Sequence, residues 1–170
     1  MIKNTIVDTN DKVIGAEYRD VVRTKGLIHR IVRIFIINNN GKILLQKRRI
    51  DLKDNPGKWD QSVGGHVDEA ESYQDATQRE TNEELGIKIN KFIKIGYFYI
   101  ERPDKYGYIR RFQTIFVGRW NGPVKFEVSE IAEVKWFTAK QIDEWLNKSP
   151  NDFTKNFGVA FKDLTAYLKN

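Results

Sequence analysis

Three carboxylates, Glu80, Glu83 and Glu84, fall within five consecutive residues, directly after Arg79. On a helix of about 3.6 residues per turn, Glu80 and Glu84 stack one turn apart and Glu83 flanks them on the same side. Like charges at that spacing cost a helix a few tenths of a kcal/mol per pair. A cluster that destabilises its own helix calls for a compensating cation. The wider pattern is Gly65-x5-Glu71-x7-Arg79-Glu80-x2-Glu83-Glu84-x-Gly86-Ile87. Gly65 at its start and Gly64 just before it allow close backbone approach to a metal or a phosphate.

The pattern reads as a loop running into a short acidic helix. That helix is expected over roughly residues 72–85, with Ala76 and Leu85 toward the core and Gly86 as its stop. Upstream, residues 26–38 (GLIHRIVRIFIIN) read as a strand, Asn39-Asn40-Gly41 as a turn, and residues 42–48 as its hairpin partner. Residues 59–63 form a short strand leading into Gly64-Gly65. Downstream, residues 87–100 and 108–120 read as two strands joined by ERPDKYG, and 132–137 as another. Thr138 is expected to N-cap a helix to about Asn147. Asp152 is expected to cap a last helix, whose Phe157, Phe161, Leu164 and Leu168 recur at helical spacing. The mixture implies an α/β chain, a mixed sheet flanked by helices. It reads as a single domain over 1–170, with 1–25 as an N-terminal extension packed on it.

With 170 residues, 40% of them hydrophobic and 31% charged, the chain has a globular composition. No apolar run approaches the roughly 18 to 20 residues of a membrane span. The opening MIKNTIVDTNDK has neither the basic nor the apolar region of a signal peptide. There is no cysteine, which excludes disulfides, thiolate metal sites and cysteine nucleophiles. These features lead to the expectation of a cytoplasmic protein without a membrane partner. The net charge is +6, yet the most acidic stretch is the candidate site itself. Lys47-Arg48-Arg49, Arg102 and Arg110-Arg111 form either a solvated basic surface or a cationic rim that collects anionic substrates. No regular basic and aromatic interleaving points to nucleic acid.

The stretch GGHVDEAESYQDATQRETNEELGI resembles the signature of the Nudix hydrolases. Every charged and glycine position of that pattern is filled, and Thr81 stands where a bulky aliphatic is usual. Seven fixed residues, each about a 1-in-15 event, coincide by chance on the order of once in 10⁸ windows. The resemblance implies an α/β/α sandwich and cleavage of a small-molecule diphosphate. That reaction needs the charge on the phosphorus neutralised, a water aligned and the leaving phosphate stabilised. Mg²⁺, or Mn²⁺ in its place, takes oxygen ligands and shares its sphere with substrate phosphates. By the resemblance, Glu80 and Glu84 are the core ligands, joined by Glu83 and the Gly64 carbonyl. Arg79 is counted with Glu83 and Glu130 among the residues on which catalysis depends. Its part is to pair with Glu71 and so hold the loop on the helix. The general base comes from the motif or from a later loop, where Glu130 is preferred over Glu127. A homodimer is expected by analogy.

The resemblance extends to the subgroup related to type 1 isopentenyl-diphosphate isomerase, through Val13-Ile14-Gly15, residues 26–30 and residues 59–66. That enzyme needs a cysteine where this chain has Gly64. Of its metal-binding histidines only His29 and His66 have counterparts, and Val22, Ile109 and Arg111 fall near the other ligand positions. His29 and His66 are read either as hydrogen-bonded structural histidines or as substrate contacts. Tyr97, Tyr99, Tyr106 and Tyr108 either stack a base or simply follow β-propensity. Two readings from other classes stay open: a non-catalytic nucleotide sensor and an RNA-directed protein.

Overall fold

A computed structural model describes residues 2–104 and 107–169. The central element is β3 (His29–Ile37), whose sequence HRIVRIFII is almost entirely buried. β8 (Gly107–Arg119) runs parallel to it along its whole length, from His29 opposite Arg111 to Ile37 opposite Arg119. The other edge of β3 is shared by three antiparallel partners in succession. These are β1 (Lys3–Val7) at His29, β6 (Val63–His66) at Ile31–Ile34 and β4 (Ile43–Arg48) at Ile36–Ile37. Beyond them lie β2 (Val13–Tyr18), β5 (Trp59–Asp60), β7 (Ile93–Asp104) and β9 (Ile131–Phe137).

Alternation along β3 sends its side chains to two cores. Val32, Ile34 and Ile36 face α2 (Tyr73–Leu85), meeting Ala76 and Leu85. Phe35 and Ile37 face α3 (Ala139–Lys148) and α4 (Phe157–Leu168), meeting Ile142, Phe157, Phe161 and Leu164. The result is the expected α/β/α sandwich on a mixed sheet. On the second face, apolar residues give way to His29 and Arg33 where the helices no longer cover the sheet, and a cleft opens there.

Several boundaries differ from the expectations. Residues 87–92 are not a strand, because Ile87, Ile89 and Phe92 are buried from an irregular segment against the α2 core. β7 starts at Ile93 and runs through Pro103, which the turn was expected to contain. Among the described residues β7 pairs only with β8, so a proline lacking an N–H is tolerated on that free edge. Asp152 does not cap α4: it lies in a short 3₁₀ turn and accepts a hydrogen bond from Trp145 Nε1 (2.7 Å). Residue Asn156 precedes α4 without a side-chain cap. Leu168 is exposed, whereas the other three stripe residues are buried. The first 25 residues contribute β1, β2 and the helix α1 (Arg19–Lys25), and β1 belongs to the main sheet.

Candidate active site

The acidic helix begins where its sequence says it should. Ser72 accepts a hydrogen bond from the Asp75 N–H (3.1 Å) while Asp75 accepts from the Ser72 N–H (3.1 Å), a reciprocal capping box. Gly86 ends it in the left-handed conformation at φ 65°. Thr81 is fully buried and donates its hydroxyl to the Thr77 carbonyl (2.7 Å), so it fills its packing position without an orphaned polar group.

Arg79 ties the loop to this helix. Its Nε and Nη2 donate to the two oxygens of Glu71 (2.7 and 2.9 Å), and Nη2 also donates to the His66 carbonyl (2.9 Å). Nη1 reaches Glu80 (2.9 Å) and Glu83 (3.0 Å). The Glu71 carboxylate in turn accepts from the Asp68 N–H (3.0 Å). One guanidinium thus fixes the loop, the helix and two carboxylates together. The Arg79–Glu71 pairing expected from the sequence is present.

Gly65 sits where a side chain cannot: a Cβ would lie 1.9 Å from Glu80 Oε1. The strand β6 therefore brings its backbone against the helix, and the Gly64 N–H approaches Glu84 (3.4 Å). Glu84 is 7% exposed and accepts from Gln46 Nε2 (3.0 Å). Gln46 was not expected at the site: it follows the apolar Ile43-Leu44-Leu45 and precedes Lys47-Arg48, so nothing local marks it. Burial, reinforced by the neighbouring Glu80, pushes the Glu84 carboxyl well above the ordinary range. Burial likewise pushes Glu80 up to about 7, against the pull of Arg79.

Glu130 lines the same cleft and adds to the charge felt by Glu84. Glu127 does not line it; its carboxylate accepts from the Ser129 N–H (2.9 Å). The histidines expected near substrate stack on each other, with centroids 5.4 Å apart and rings 16° from parallel. His29 is 5% exposed, and its Nδ1 lies 3.2 Å from the Leu27 carbonyl. Burial lowers its pKa to about 4, and His66 is lowered by burial as well. Both line the cleft as neutral rings. Tyr97 and Tyr99 instead pack on Phe112, away from the cleft, and Tyr108 does not line it either. Tyr106 lies outside the described residues.

The donor set has the chemistry of a hard-cation site: carboxylates and a backbone carbonyl, with burial raising the pKa values of Glu80 and Glu84. Among the described residues, no three ligating side chains already converge on one point. Arg79 pairs with both Glu80 and Glu83. The residues fit a divalent metal by type and line one cleft, with Glu80, Glu83, Glu84 and the Gly64 carbonyl as its candidate holders.

The electrostatics set a direction for stability in EDTA. As pH rises past about 6.5 an unfolded histidine becomes neutral, so the contribution of His29 and His66 fades. Folded Glu80, raised to about 7, still holds a proton that the unfolded chain has lost, and Glu84, also raised by burial, acts in the same direction. Stability should therefore fall as pH rises from 6.5 through 8.5, and thermal melts in EDTA measure it. A melting temperature that climbs across that window would contradict these environments.

A loop pinned by Arg79 to an acidic helix, set against a mixed sheet between two helical layers, is the arrangement that the Nudix resemblance implied. The NUDIX domain family model matches residues 27–157, and the chain belongs to the Nudix family. It is 34% identical over 146 residues to an uncharacterized Nudix hydrolase of Nostoc sp., covering 84% of each chain. It is 30% identical over 149 residues to an isopentenyl-diphosphate Delta-isomerase of Burkholderia multivorans, covering 88% of this chain and 85% of that one. A crystal structure from Deinococcus radiodurans superposes with a TM-score of 0.77 at 21% identity, over 97% of this chain and 99% of that one. The MutT protein of Methanosarcina mazei gives 0.69 at 26% identity, over 84% and 96%.

Proposed function

We propose that the protein is a Mg²⁺-dependent hydrolase, with Mn²⁺ as a substitute, that cleaves the diphosphate linkage of a nucleoside diphosphate joined to another moiety. The observation that carries this reading is the buried Glu84 beside Gly64 and the half-buried Glu80 held by Arg79, lining a cleft of about 730 Å³. The metal, when bound, neutralises the phosphate oxygens and lowers the pKa of water. Glu80, Glu83, Glu84 and the Gly64 carbonyl hold it. Glu130 takes the proton from the attacking water as general base. Arg79 is a positioning residue, since it orients Glu80 and Glu83 and does not itself need to meet substrate.

Two expectations follow for the metal. Excess Mg²⁺ should abolish the loss of stability above pH 6.5, because it favours the ionised carboxylates. Gly65→Ala, whose Cβ would force Glu80 aside, should weaken Mg²⁺ binding by about 10- to 100-fold. Calorimetric titration of the folded variant checks it, and unaltered affinity would remove Glu80 from the ligand set.

The reading is tested by product analysis, with Mg²⁺ or EDTA, on nucleotide sugars, dinucleotides, nucleoside triphosphates and isopentenyl diphosphate. Cleavage at a phosphoanhydride supports it. The relatives named isopentenyl-diphosphate isomerases favour a second reading. Against it stand the absence of cysteine and the presence of Ile109 and Arg111 on the cleft wall. By the resemblance, those two positions fall near glutamate ligands of the isomerase.

A further inference from the structure

We propose that Arg19, Arg102 and Arg111 form a second anion subsite in the cleft, which holds a phosphate group of the substrate other than the linkage that is cleaved. This deepens the hydrolase reading and rests on it for the position of the scissile bond. The register of the sheet assembles the corner. Arg111 lies opposite Ile100 of β7 and beside His29 of β3, while Arg102 lies opposite Ile109. Cross-strand partners and alternate residues share a face, so Ile100, Arg102, Ile109 and Arg111 all project to the same side. Arg102, Ile109 and Arg111 line the cleft, and Arg19, at the start of α1, lines it with them.

Most other cations there are engaged. Arg23 pairs with Asp54 (2.8 Å) and Asp104 (3.1 Å). Arg33 donates to Gln113 (2.7 Å) and Asp60 (3.1 Å), and Arg79 is committed to the loop. Arg102 and Arg111 are different. The Nε of each is buried without a hydrogen-bond partner among the described residues. Buried guanidinium groups are ordinarily paired, because a desolvated charge without a partner is costly. Burial, with Arg33, Arg102 and Arg19 close by, also lowers Arg111 to about 9. A corner of like charge with unused N–H groups is matched by a multiply charged oxyanion, and the guanidinium fork suits phosphate. The acidic corner of the same cleft holds Glu80, Glu84 and Glu130. A substrate could therefore span from the scissile diphosphate to a further phosphoanhydride or phosphomonoester.

The test has two arms. In EDTA, calorimetry measures binding of inorganic tripolyphosphate to the wild type, R102Q, R111Q and R111K. We expect binding to the wild type, weakened about tenfold or more in each glutamine variant, with R111K intermediate. R102Q, on the half-buried hairpin face, carries the arm if R111Q does not fold. With Mg²⁺, rates are compared for ADP against ATP and NADH against NADPH, pairs that differ by one phosphate. The more phosphorylated member of at least one pair should be preferred, and R111Q or R102Q should erase the preference. Equal tripolyphosphate binding by all four proteins, or none by the wild type, overturns the subsite even if hydrolysis is found. Binding that the glutamine variants lose, with no substrate cleaved, keeps the subsite and overturns the hydrolase reading.

Discussion

Replacing Glu84 by Gln should lower hydrolysis by about 10³-fold or more while leaving the metal-free protein at pH 8 at least as stable as the wild type. The loss follows from the metal, whose charge stabilisation of the transition state amounts to several kcal/mol at about 1.4 kcal/mol per factor of ten. The stability follows from burial. Glu84 is 7% exposed, its carboxyl is pushed well above the ordinary range, and its neighbour Glu80 is a like charge. A neutral amide of the same shape removes that cost. Gln46 can turn its own amide to accept from the new NH₂ group, so the contact at Glu84 Oε2 survives. Parallel melts and rate measurements check both halves. A variant that is folded and active would remove Glu84 from the site, whereas a variant that is inactive because it is unfolded would refute the electrostatic account.

The second large effect is expected at Arg79. Its substitution by Lys keeps the charge but cannot reproduce the fork that meets both oxygens of Glu71 and the His66 carbonyl. Partners that orient metal ligands are worth about 10- to 100-fold in affinity or activity. We expect R79K to fall in that range and to melt several degrees below the wild type. E71Q breaks the same fork from the other side, so the double variant should be little worse than R79K alone. Additive losses would mean that the two residues act separately and that the loop is held by something else.

Much of this site is legible in the sequence because it is local. From Gly64 to Gly86 the chain specifies its own loop, cap, helix and stop, and the acidic residues stand where the 3.6-residue period puts them. Thr81 shows that the pattern tolerates a departure when a β-branched residue fills the same volume. What was not legible depends on pairing over long separations. β1 has only a short apolar pair, Ile6-Val7, yet it is buried in the main sheet because β3 leaves an edge at His29. Gln46 meets Glu84 only because β4 continues the edge begun by β6. The basic corner joins Arg19 to Arg102 and Arg111 across the β7–β8 hairpin. Of the basic clusters, Arg48, Arg102 and Arg111 line the cleft, whereas Lys47, Arg49 and Arg110 do not. Tyr97 and Tyr99, two of the tyrosines that might have stacked a base, fall on the other side of β7, as alternation with Arg102 requires. Among the described residues, no helix is long and apolar enough to cross a membrane.

The most direct measurement is the identification of products, by chromatography and phosphorus NMR, after incubation of the diphosphate panel with Mg²⁺ and, separately, with EDTA. Two phosphate-bearing products from one phosphoanhydride, formed only with the metal, are the predicted result. An intact panel in Mg²⁺ with nucleotide still bound, or isopentenyl diphosphate converted to its isomer, would contradict it.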